Sequence, residues 1–99
     1  MTNKEKLEEV VKFLKNENIN YVLRPDDVVK KSNLYIPKWR IGVKIEDENA
    51  ERYFRTHKRH IGVVFIRDEE TADFVVEKVQ TVIVQRMIAA QRKFMKKSR

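Results

Sequence analysis

The chain has no cysteine. That excludes a disulfide framework, a thiolate nucleophile and a Cys-based zinc site, and it suits a reducing, cytoplasmic compartment. Glycine is nearly as scarce. Two glycines in 99 residues leave no Gly-rich phosphate loop and no dinucleotide fingerprint. A serine nucleophile motif is also missing. No apolar run approaches the ~18 residues that a membrane span requires. The opening Met-Thr-Asn-Lys-Glu-Lys reads as the entry to a soluble helix rather than a signal peptide, so no membrane partner is expected. The longest stretch without an acidic residue is the last: none follows Glu77.

The chain length fits one domain spanning residues 1–99, able to bury about 60–70% of the surface that the unfolded chain exposes. The charge is unevenly placed. The first 77 residues hold 15 basic and 15 acidic residues. Lys78, Arg86, Arg92, Lys93, Lys96, Lys97 and Arg99 therefore carry the whole net charge of +7. Such asymmetry points to a polyanion, with nucleic acid expected and DNA favoured. The alternative is a solvated basic helix end that complements the helix dipole.

Periodicity predicts the elements. Leu7, Val10, Val11 and Leu14 fall on one face of a helix over 3–17, with Thr2 and Glu5 at capping-box spacing. Ile19 to Leu23 reads as a strand, and Arg24-Pro25-Asp26-Asp27 as turn chemistry. Leu34 to Ile36 and Trp39 to Glu46 form a hairpin across Pro37 and Lys38. In its second strand Trp39, Ile41, Val43 and Ile45 alternate with Arg40, Gly42, Lys44 and Glu46, giving one apolar face and one charged, open face. Asp47-Glu48-Asn49 begins a second helix, with Ala50, Tyr53, Phe54 and His57 as its apolar stripe. His60 to Ile66 is the most apolar strand and reads as central, buried on both faces. Asp68 caps a last helix over 69–97, about 40 Å long at 1.5 Å per residue. Its far end, with Met87, Ile88, Ala89, Ala90, Phe94 and Met95, projects from a body of about 13 Å radius of gyration. That end invites a homodimer through the helix. The expectation is an α+β domain of order αβββαβα, with a four-stranded mixed sheet flanked by helices. The first three strands make an antiparallel meander and the last pairs in parallel through a helical crossover.

That order resembles the core of the restriction-endonuclease-like, or PD-(D/E)XK, nuclease fold. The likeness is sharpest at Asn33-Leu-Tyr-Ile-Pro-Lys-Trp-Arg-Ile-Gly-Val-Lys-Ile-Glu46. This stretch looks like the Asp-Phe-Tyr-Ile-Pro…Leu-Val-Ile-Glu-Val-Asp-Gly segment of the very-short-patch-repair and related small endonuclease-domain proteins. Asn18 to Arg24 is similar to their strand after the first helix. The resemblance covers most of the chain in order of elements and about fourteen residues in detail. It implies a scaffold in which an aspartate opening the second strand, and an acid-x-acid or acid-x-lysine pair on the third, hold magnesium. Here Asn33 stands at the aspartate, Lys44 at the first acid and Glu46 at the second. A register shift of two sets Gly42-Val43-Lys44 against acid-x-lysine, and the acid is still absent. After Pro25-Asp26 no acid-x-lysine follows on the strand. Magnesium needs hard, anionic oxygen ligands. The expectation is therefore a catalytically inactive protein without a cofactor. Magnesium enters only if the chain is an active nuclease, with a site rearranged around Glu46 and either Asp26 or Glu9.

The candidate phosphate contacts are Arg40 and Lys44 on the open face, Arg52, Arg55, Lys58 and Arg59 along and after the second helix, and Arg92, Lys93, Lys96 and Lys97 at the chain end. For Lys44 the alternative is an ion pair with Glu46 or a helix carboxylate. For the arginines it is a solvated face paired to Glu48 and Glu51. His57 and His60 have a spacing that suits zinc, against surface or packing roles. Trp39 and Tyr35 either stack bases or pack in the core.

Overall fold

The computed structural model describes residues 1–24, 32–57 and 62–97; the side chains of His57 and of residues 94–97 lie outside that description. Seven elements follow in chain order: α1 (Asn3–Asn16), β1 (Val22–Leu23), β2 (Leu34–Ile36), β3 (Ile41–Ile45), α2 (Glu48–His57), β4 (Gly62–Ile66) and α3 (Ala72–Lys97). The fold is α+β with a four-stranded mixed sheet, as the periodicity predicts. The sheet runs β1-β2-β3-β4. The first three strands pair antiparallel, and β4 pairs parallel to β3.

α1 starts at Thr2, whose hydroxyl accepts from the Glu5 N–H while the Glu5 carboxylate accepts from the Thr2 N–H. These bonds, the backbone one first, hold the Glu5 carboxyl below its ordinary value. The helix closes where Asn18 takes a left-handed φ of 56°, a conformation asparagine tolerates. Val10 and Leu14 of α1 and Val75, Val79 and Ile83 of α3 form one core with Leu34, Ile36, Ile41, Val43, Val64 and Ile66 of the sheet. The strand register explains the layer: Leu34 sits opposite Val43, and Val43 is level with Val64. Burying a side chain of this kind stabilises by about 1.5–3 kcal/mol. α2 covers the other face, with Ala50 and Phe54 buried and the Phe54 and Phe65 rings edge-to-face at 6.5 Å.

Several expectations need correction. β1 is two exposed residues; Ile19 and Tyr21 pack against the core from outside the strand. β3 begins at Ile41, because Pro37–Arg40 form a turn closed by the Arg40 N–H on the Pro37 carbonyl with Arg40 at a left-handed φ of 54°. Trp39 and Arg40 are therefore turn residues. β4 is not central: it ends the strand order and β3 is the strand buried on both faces. α3 starts at Ala72 rather than 69, and Thr71 rather than Asp68 supplies the side-chain oxygen that accepts from its first turn, from the Phe74 N–H.

Candidate nucleic-acid interface

The stretch singled out by the resemblance builds a cleft. Asn33 precedes β2, Lys44 and Ile45 lie on β3, and Glu46 and Asp47 follow it. Together with Thr2, Asn3 and Lys4 at the start of α1 they line a hollow of about 410 Å³. Asn33, Lys44 and Glu46 are thus brought together. Arg40 is not among them; it lies beyond the opposite end of β3.

The polar groups of the cleft are engaged in holding the fold. The Asn33 side-chain oxygen accepts from the Ile45 N–H at 2.9 Å, and its backbone carbonyl accepts from the Arg24 N–H at 2.8 Å. One residue thus ties the ends of β1, β2 and β3. Glu46 Oε1 accepts from the Asp68 N–H at 2.9 Å, and its Oε2 lies 3.7 Å from the Arg67 guanidinium. Asp47 Oδ1 accepts from the Asn49 and Ala50 N–H groups and so caps α2. Lys44 is 3% exposed and Asn33 1%. The alternation rule placed Lys44 on an open face. That face is closed: α2 follows β3 after Glu46 and Asp47, and its Phe54 packs on Phe65, the residue level with Lys44 in the sheet.

Magnesium does not suit this donor set. Two lysines offset the two carboxylates of the cleft, the amide oxygen of Asn33 is bonded to the backbone, and each carboxylate has a structural partner. Among the described residues no group of three or more His, Cys, Asp or Glu is arranged to hold a metal ion. Glu9 pairs with Lys12 at 3.1 Å on α1 and does not line the cleft. Asp26 lies outside the described residues, as do Lys58, Arg59 and His60.

The other candidates lie on helices. Arg52 and Arg55 are exposed on α2. Arg52 pairs with Glu48 at 3.3 Å, whereas Glu51 pairs with Arg67 at 2.7 Å. That bond to Glu51 holds the Arg67 guanidinium above the ordinary arginine value. On α3, Arg92 and Lys93 are exposed, and Lys96 and Lys97 belong to its last turn. Every described side chain from Met87 to Lys93 is exposed, so this part of α3 stands clear of the sheet. Trp39 packs against the core with the Lys38 ammonium 5.1 Å from its ring. The Arg24 guanidinium lies 5.3 Å from the Tyr35 ring.

Sequence reasoning missed two groups. Lys6 is buried and donates to the Arg67 and Asp68 carbonyls at 2.8 and 3.1 Å. Its position one turn before Val10 on the buried face of α1 was the available signal. Lys78 donates to the Phe65 carbonyl at 2.7 Å and to both oxygens of Glu70 at 2.8 Å. Their spacing of eight residues across the start of α3 gave no pattern to read.

No helix among the described residues is long and apolar enough to cross a membrane. Comparison with models of protein families, with curated proteins and with solved structures found no match.

Proposed function

We propose that this protein binds nucleic acid, DNA in preference, through phosphate contacts, on a nuclease-like scaffold that has given up catalysis. One observation carries the reading. From Lys78 to Lys97 the acid-free segment belongs to one continuous helix whose Arg92 and Lys93 are exposed. Lys96 and Lys97 extend the same basic end, and Arg52 and Arg55 offer a second patch on α2. A strip of this kind neutralises backbone phosphates and reads no bases, which gives binding without strong sequence preference. The cleft at Asn33, Lys44 and Glu46 retains the place of a nuclease centre in the chain but not the carboxylates for magnesium. The reading is of an intracellular, cytoplasmic protein.

The test is fluorescence anisotropy of labelled duplex DNA, titrated at low and moderate salt. Affinity falls with salt at a slope of about −0.9 per phosphate contacted. Replacing Arg92, Lys93, Lys96 and Lys97 by Gln reduces that slope by up to about 4. No binding at low salt would remove the proposal. Magnesium-dependent cutting of the DNA, abolished in Glu46→Ala, would restore the nuclease reading instead.

A second reading has its own observation. Val84, Met87 and Ile88 of α3 are 44–45% exposed, a density of apolar surface that suits an oligomerising helix.

A further inference from the structure

We infer that a second copy of this chain docks along the outer face of α3, antiparallel to the first, with Glu77 of one copy against Arg92 of the other. The inference rests on the oligomerising reading and adds to it the contact face and the orientation.

The buried side of α3 is already matched: Val75, Val79 and Ile83 fill the core. A different set of side chains faces outward. Phe74, Thr81 and Ile88 recur at every seventh position, with Val84 between Thr81 and Ile88. Phe74 is 48% exposed and Val84 and Ile88 are each 45% exposed. Seven residues make nearly two helical turns, so these positions share one seam along the helix. From Phe74 to Ile88 the seam extends for about 21 Å at 1.5 Å per residue.

The charges along that seam select the occupant and its direction. Asp73 and Glu77 are exposed in the first half of α3, and Arg92 in the second. A parallel pair would set the two copies of Arg92 side by side. An antiparallel pair sets the acidic half of each helix against the basic half of the other. The spacing from Glu77 to Thr81 equals that from Ile88 to Arg92. When Thr81 is level with the second copy's Ile88, Glu77 is therefore level with its Arg92. Val84 comes to within one residue of the two-fold axis. The contact is isologous, as a two-fold dimer requires. A seam this short gives a weak dimer, about micromolar or weaker.

The experiment combines mass with cross-linking on the full chain. Sedimentation equilibrium over a wide concentration range shows a monomer–dimer equilibrium, which Ile88→Asp shifts to monomer while circular dichroism stays unchanged. The natural chain has no cysteine, so single cysteines report position cleanly. Val84→Cys cross-links on mild oxidation, because the two copies of position 84 lie about 1.5 Å apart along the axis and within reach of a disulfide. Glu77→Cys does not, its two copies being about 22 Å apart along the axis. A strict monomer at every concentration would sink both the oligomerising reading and this inference. A dimer that cross-links through Glu77→Cys would overturn the antiparallel arrangement alone. A dimer indifferent to Ile88→Asp would place the contact elsewhere and overturn the face.

Discussion

Asn33 shows how one side chain can answer two questions. The resemblance sets it where the nuclease family has a metal-binding aspartate. The geometry gives it a different task, since its side-chain oxygen takes the Ile45 N–H just where β2 no longer reaches β3. A buried N–H without an acceptor costs about 1–3 kcal/mol. Asn33→Leu therefore lowers the unfolding free energy by about that amount in a urea titration. Asn33→Asp, which keeps an acceptor oxygen there, costs clearly less. Equal losses would show that the amide nitrogen, not the oxygen, is what the site needs. The resemblance, and not the periodicity, groups Asn33, Lys44 and Glu46, and the three do line one cleft. The sequence did not show that Lys44 is buried, because alternation reports which residues share a face and not whether a later helix covers it. Lys6 was hidden for a related reason. A lysine on the apolar side of a helix looks like the edge of the stripe until the two carbonyls it meets are known.

At the scale of elements, β4 carries the main lesson. Its run Gly-Val-Val-Phe-Ile reads as central because both faces are apolar. One face is buried, Val64 and Ile66 lying in the core with α1 and α3; the other is half-buried, with Phe65 against Phe54 of α2, and the strand ends the sheet order. Hydrophobicity records the faces of a strand and is silent about its edges. The outer edge here is met by a charge: Lys78 from α3 takes the Phe65 carbonyl, and Glu70 takes Lys78. A lysine pointed at a strand edge discourages pairing with a stray strand. Burial pushes the Glu70 carboxyl up, but the hydrogen bonds from Lys78 and the Arg67 N–H, with the positive charges of both residues, outweigh it and hold the carboxyl below its ordinary value. A carboxyl depressed on folding contributes stability that is present above its unfolded pKa, about 4.3, and is lost as pH falls through the folded value. Urea midpoints therefore decline below about pH 4, and Glu70→Gln flattens part of that decline while lowering the midpoint at pH 7. An unchanged acid profile in the variant would remove Glu70 from the account.

For the whole molecule, α3 divides the labour. Its first half closes the core through Val75, Val79 and Ile83, and its second half from Met87 is exposed wherever it is described. Truncation after Arg86 should thus change the unfolding free energy by about 0.5 kcal/mol or less, with one cooperative transition retained. DNA affinity should fall sharply in the same variant. A large loss of stability would show that the distal helix packs on the body and that its charge has a structural role.

The tie between the chain's first helix and its last also governs how the molecule is made. Val10 and Leu14 find their core partners on β4 and α3, and Lys6 is held by Arg67 and Asp68. Contacts of such sequence separation carry a loop-closure cost that must be met before they stabilise anything. During synthesis α1 leaves the ribosome well before β4 and α3, and its core is complete only when α3 has followed. A ribosome stalled before Ala72 should hold a chain that is still open to proteases along its whole length, and protection should arrive in one step once α3 is free.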